Sequence, residues 1–149
     1  MAQTMKWTTP ASIATALSTE LNGLANGSYS NASGAIDNET GLYQFMQVEL
    51  NLASLTPVSG QSVAVYLLSS LDGTNFADGG GAVAPPDGSL LTIFSLRAAT
   101  AAQRRVSYVL EAPPLQFKLV VCNMTITSGV AFGATGNTLK YRLFNVQSV

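Results

Sequence analysis

The stretch from Gln61 to Phe76, QSVAVYLLSSLDGTNF, limits the fold more tightly than any other part of the chain. In an extended strand Val63, Val65 and Leu67 fall on one face and Ala64, Tyr66 and Leu68 on the other. Both faces are apolar, which predicts a strand inside a sheet with cover on each side. The run then breaks at Ser69-Ser70-Leu71-Asp72-Gly73. Asp-Gly supplies the positive-φ position of a tight turn, and Asn75 is placed to hydrogen-bond backbone nearby.

Other segments repeat the period of two. In Leu42 to Leu52, Met46, Val48, Leu50 and Leu52 point one way and Gln47, Glu49 and Asn51 the other, a half-exposed strand. Leu90 to Arg97 places Leu90, Phe94 and Leu96 on one face. Arg105 to Glu111 alternates with Val106, Tyr108 and Leu110 inward, and Pro113-Pro114 closes it. Leu115 to Asn123 aligns Leu115, Phe117, Leu119 and Val121, and Leu139 to Val146 aligns Leu139, Tyr141 and Leu143. Ala77 to Ser89, dense in Gly and Pro, reads as a long loop, and Ala98 to Gln103 as a helical turn. Six or seven short strands with turns between them predict an all-β fold, an antiparallel β-sandwich or jelly roll.

Residues 1–40 differ. Gln3 to Thr8 reads as an edge strand carrying Trp7. A short helix is predicted over Ala11 to Leu24, with Thr9 as cap, Pro10 at its first position, and Ile13, Leu17, Leu21 and Leu24 as its buried stripe. Asn26 to Gly41 reads as loop. The expected organisation is a single domain, 1–149. Within it, residues 1–40 form an N-terminal arm, short helix and loop, and 41–149 form the sandwich core.

The composition narrows the chemistry. No histidine is present, so the usual general base, metal ligand and activator of a serine or cysteine nucleophile are missing. With one cysteine, neither an internal disulfide nor a tetrahedral Cys/His zinc site can form. Cys122 lies in an apolar strand and reads as a small buried hydrophobe. Asp72, Asp78 and Asp87 lack calcium-loop spacing and read as turn and cap residues. The expectation is a non-enzymatic chain without cofactor or metal.

Charged residues are 10% of the chain and the net charge is -1, while Ser, Thr, Asn and Gln make up 45 of 149 residues. Such a surface does not attract phosphate backbones and offers little repulsion between copies. No nucleic acid and no membrane partner is expected; no run reaches the ~20 apolar residues of a span. The first residues hold no apolar core fit for a signal peptide, which predicts synthesis in a cytoplasm with no encoded address. Trp7, Arg104 and Arg105 are the candidate partner contacts. Trp7 reads equally as core packing or as an anchor, since tryptophan is over-represented at interface hot spots. The arginines, the only basic doublet, read as a solvated face or an interface anchor.

The succession YLLSSLDGTNFADGG, PPDGSLLTIFSL, the arginine pair, APPLQFKLVVCN and GNTLKYRLFNVQ resembles small virion proteins of tailed bacteriophages, above all the capsid decoration or cementing proteins. The similarity spans about residues 41–147. It implies a sandwich module that binds the outside of an icosahedral shell, bridges the major capsid protein and steadies the head. Its partners would be that protein and copies of itself, as a homodimer or homotrimer, on virions assembled in the host cytoplasm. Two alternatives stand beside it. A carbohydrate-binding module of a phage fibre would need an exposed aromatic platform, with Tyr29, Tyr43 and Phe76 as candidates. A neck or tail connector would differ in copy number.

Overall fold

A computed structural model describes residues 4–148. Ten strands form in chain order: β1 (Met5–Trp7), β2 (Ala14–Leu17), β3 (Phe45–Leu55), β4 (Ser62–Ser69), β5 (Leu90–Ser95), β6 (Ala101–Val106), β7 (Leu110–Glu111), β8 (Phe117–Asn123), β9 (Thr138–Phe144) and β10 (Val146–Ser148). All their pairings are antiparallel. One sheet runs β2-β9-β3-β6, with β7 added along β3; a second runs β5-β4-β8; β1 and β10 make a separate ribbon. Among the described residues no helix is long and apolar enough to cross a membrane.

The period of two decides what is inside. β3 is buried at every second residue, through Met46, Val48, Leu50 and Leu52, and β9 adds Leu139 and Leu143 to the same layer. The other sheet supplies Val63 and Val65 from β4, Phe94 from β5, and Phe117, Leu119 and Val121 from β8, all in one hydrophobic cluster. Two antiparallel sheets thus share one core, a sandwich-like arrangement. Each of these side chains contributes roughly 1.5–3 kcal/mol of gross burial free energy. β4 is covered on both faces as its sequence predicts, with Ala64 and Leu68 buried opposite Val63 and Val65.

The helix expected over Ala11 to Leu24 does not form. Ala14–Leu17 is strand, paired with β9, and only Thr19–Leu21 turns, as a short 3-10 helix. An isolated helix of that length is marginal, Ser and Thr side chains compete for its backbone, and the β9 edge offers unpaired amides and carbonyls. Leu17, Leu21 and Leu24 are buried as expected, but Ile13 faces solvent.

Residues 26–36 are built into the fold and do not project as an arm. They run along the β8 edge that β4 leaves open, bridging at Tyr29–Cys122 and Ile36–Phe117. Two serines complete this irregular ladder. Ser30 N–H donates to the Val121 carbonyl (2.8 Å) and its Oγ accepts from the Val121 amide (3.0 Å). Ser33 does the same for Leu119, at 2.9 and 3.0 Å. The part of the predicted edge strand that is described is β1, at Met5–Trp7; Gln3 lies outside the described residues.

β6 also departs from the expected pattern. Ala101–Val106 is strand, not a helical turn, and the strand expected over Arg105 to Glu111 is split by 107–109. Its facing is also reversed. Gln103 and Ser107 are buried, whereas Val106 and Tyr108 are exposed. The inward polar groups have partners. Gln103 accepts from the Arg97 amide (2.8 Å) and donates to its carbonyl (2.7 Å), and the Val48 amide donates to Ser107 Oγ (3.1 Å). Hydrogen bonding, not hydrophobicity, sets the phase here.

Candidate protein-interaction surface

Asp72 and Cys122 are both tied into the fold. Asp72 Oδ1 accepts from the Thr74 (2.9 Å) and Asn75 (2.7 Å) amides, and Oδ2 from Asn75 Nδ2 (2.7 Å). Those donors, the Asn75 amide first, hold its carboxyl well below the usual carboxylate range. The turn therefore closes on the aspartate, with Gly73 at φ +72°; Asn75 is the donor and not the capping residue. Cys122 is buried, and that burial raises its thiol pKa despite the nearby Tyr29 hydroxyl. Among the described residues no three His, Cys, Asp or Glu side chains come together as metal ligands.

A cleft of about 600 Å³ lies between the two sheets at one end. Leu67, Leu90, Leu91, Pro86, Pro113 and Pro114 line it, and Glu111 is its only titratable group.

Exposed apolar side chains are the stronger signal. Trp7 is 56% exposed although it sits edge-on against two rings, Phe45 at 5.6 Å and Phe144 at 5.3 Å between centroids. Phe45 and Phe144 stack on each other beneath it. The rings fix the indole while leaving most of it in water. On the other side of Phe45, Leu42 shares a shallow groove with Tyr43 and Pro114. It is 60% exposed and has φ +44°, a left-handed conformation that costs an L-residue roughly 1 kcal/mol.

Buried Asn38 imposes that conformation. Its Oδ1 accepts from the Tyr43 amide (2.9 Å), and its Nδ2 donates to the Tyr43 (2.8 Å) and Pro113 (2.6 Å) carbonyls. The Leu42 amide closes the turn on the Asn38 carbonyl at 2.9 Å. Trp7 and Leu42, both neighbours of Phe45, are thus exposed apolar side chains held in place.

The arginine pair lies elsewhere. Trp7 packs at Phe45, while Arg104 pairs with Asn51 and Arg105 with Leu50 in the β3–β6 register, roughly 15–20 Å along the strand. Arg104 forms an ion pair with Glu49 on the outer face of the sheet, and Asn51 also donates to Glu49 at 2.7 Å. Arg105 points the other way and joins the layers: its Nε donates to the Ser95 carbonyl (2.8 Å) and its Nη2 to Gln103 Oε1 (3.0 Å).

The aromatic candidates for glycan contact are each held by a different neighbour. Tyr29 stands edge-on to Tyr66, Phe76 lies under the Lys118 ammonium, and Tyr43 packs on the core. Leu42 escaped sequence reading because the alternating pattern places it in the strand, which instead begins at Phe45. Only Gly41 before it hints at a turn.

No protein-family model matches the chain, and no curated protein matches it.

Proposed function

We propose that this chain is a structural virion protein, a β-sandwich module that docks through its Trp7–Leu42 end onto the outer surface of a capsid shell and cements it. The observation that carries the reading is the rigid exposure of these two side chains. One is propped on Phe45 and Phe144; the other is held in solvent at a positive φ by buried Asn38. A strained, exposed leucine has no packing return within the monomer, and such outliers point to a contact made elsewhere. A tryptophan with a pre-set rotamer loses little entropy on binding, which suits a hot spot. The low charge agrees with close packing among neighbours, and repetition over a shell lets each contact be modest. The resemblance to phage decoration proteins supports a shell as the partner.

The test is an image reconstruction of particles made by the genome that encodes the chain. Density for this fold repeating over the shell, with the Trp7 end inward, is the expected result. Particles that never contain the chain overturn the reading.

A further inference from the structure

We propose that the side of the fold carrying the β5 edge is an interface with a second copy of this chain, the two β5 strands pairing antiparallel about a twofold axis at Ile93. The inference deepens the virion reading and rests on it for its role, but its geometry is independent of the docking end.

The hydrogen-bond phase of β5 shows which groups are free. The Leu96 amide donates to the Gln61 carbonyl at 2.9 Å, so Phe94 and Thr92, opposite Val63 and Val65, turn their backbone groups toward β4. Ile93 and Ser95 therefore turn theirs outward. A bulge at Leu91 ends the regular edge on one side, and Arg105 Nε occupies the Ser95 carbonyl on the other. Between those two guards Ile93 presents both its N–H and its C=O, and its side chain is 49% exposed. Natural sheets blunt open edges with charge, proline or bulges along their length. β5, LLTIFS, has no charged residue and no proline, and its centre is left open.

More apolar surface continues from this edge. Arg105 ties β6 to the Ser95 end, and Glu111 and Ala112 share the cleft with Leu90 and Leu91 at the other end. The chain between, 107–109, runs along the same side with Tyr108 and Val109 exposed, Tyr108 at 92%. Four large apolar side chains, counting Leu90 and Ile93, thus lie on this side.

Charge selects the occupant. Exposed Asp87 and Glu111 flank the Leu90 end, and Arg97 and Arg105 flank the Ser95 end. Antiparallel pairing at Ile93 sets Leu90 beside the partner copy's residue 96, so each acidic end meets a basic end. The uncharged middle places no like charges opposite each other. The edge is complementary to itself, as an isologous contact requires.

Sedimentation of the full chain provides the test. The expected result is a species of twice the 15.5 kDa chain mass at micromolar concentration. Ile93→Pro removes an outward N–H that β4 does not use, together with the exposed side chain, and raises the dimer dissociation constant by about 100-fold. Ile93→Lys gives the same loss should the proline variant not fold. Ile93→Cys forms a disulfide-linked dimer on mild oxidation, because a hydrogen-bonded antiparallel pair brings Cα atoms to about 5.5 Å and Cys122 is buried. A wild-type chain that stays monomeric at about 100 μM overturns the proposal, as does a folded Ile93→Pro variant that still dimerises. A monomer that decorates particles sinks the pairing and spares the docking reading; a dimer absent from every particle does the reverse.

Discussion

Arg105 on β6 donates its Nε–H to the Ser95 carbonyl on β5, a 2.8 Å bond that crosses from one sheet to the other. With Gln103, which grips the Arg97 backbone through both its amide atoms, it forms the corner that holds the layers in register. A residue pair that reads in the sequence as a surface doublet is split between an outer ion pair and an inter-sheet tie.

Arg105→Ala should therefore destabilise the fold by about 1–2 kcal/mol, since a half-exposed charged donor loses several partners at once. Arg104→Ala, which breaks an exposed pair with Glu49, should cost under about 1 kcal/mol. Urea midpoints of the two variants compare them directly. Equal midpoints would show that Arg105 joins nothing.

Ser30→Ala removes the acceptor of the Val121 amide, on a residue with no solvent exposure. The stranded N–H should cost about 1–3 kcal/mol, and Ser33→Ala about as much through Leu119. Hydrogen exchange supplies the specific readout: the Val121 amide should lose protection in Ser30→Ala while the β3 amides keep theirs. Unchanged Val121 exchange in a stable variant would mean the serine ladder does not hold that edge.

These elements mark where the sequence is legible. β3, β4, β8 and β9 bury unbroken alternations of large apolar residues, so one face can only be core and the strands follow. The 26–36 segment is not readable that way, because Ser30 and Ser33 hold the β8 edge with hydroxyls where a regular strand would use its backbone, and Ser and Asn in sequence signal loop. β6 inverts the pattern since Gln103 and Ser107 satisfy inward hydrogen bonds that no hydropathy reveals. Of the candidate contacts, Trp7 stood out by residue type alone. Leu42 did not, because its exposure follows from a turn closed by Asn38, whose amide role a one-dimensional pattern does not carry.

Leu42→Gly separates a structural role from a docking role. Glycine adopts φ +44° without strain, and Leu42 is largely exposed, so stability should stay the same or rise by up to about 1 kcal/mol. Binding to shells should fall by at least about tenfold, as it should for Trp7→Ala. A Leu42→Gly chain that is no less stable and binds shells as well as the parent would remove the docking end from the proposal.

The titrating groups predict a stability window closed at both ends. On the acid side, donors from Asn75 and Thr74 hold the Asp72 carboxyl low, and a backbone bond from Ser18 lowers that of Glu20. Burial opposes the same shift at Glu49, but hydrogen bonds from Asn51 and Arg104 prevail. Because the folded values lie below the unfolded ones, their stabilisation is full above the ordinary carboxylate range and is lost as pH falls through the folded values. On the alkaline side, burial raises Cys122, Tyr29, Tyr66 and Tyr141 above their ordinary values of 9.0 for the thiol and 10.0 for the phenols. The unfolded chain ionises first, so stability is intact below pH 9.0 and falls as pH rises beyond it. Melting temperatures across the pH range should show a plateau with two shoulders, and Asp72→Asn should lower the plateau while flattening the acid one. Thiol labelling adds an independent check. Cys122 should resist alkylation at neutral pH and become reactive only with global unfolding, whereas rapid labelling of folded protein would place the thiol at the surface and undo the alkaline half of the argument.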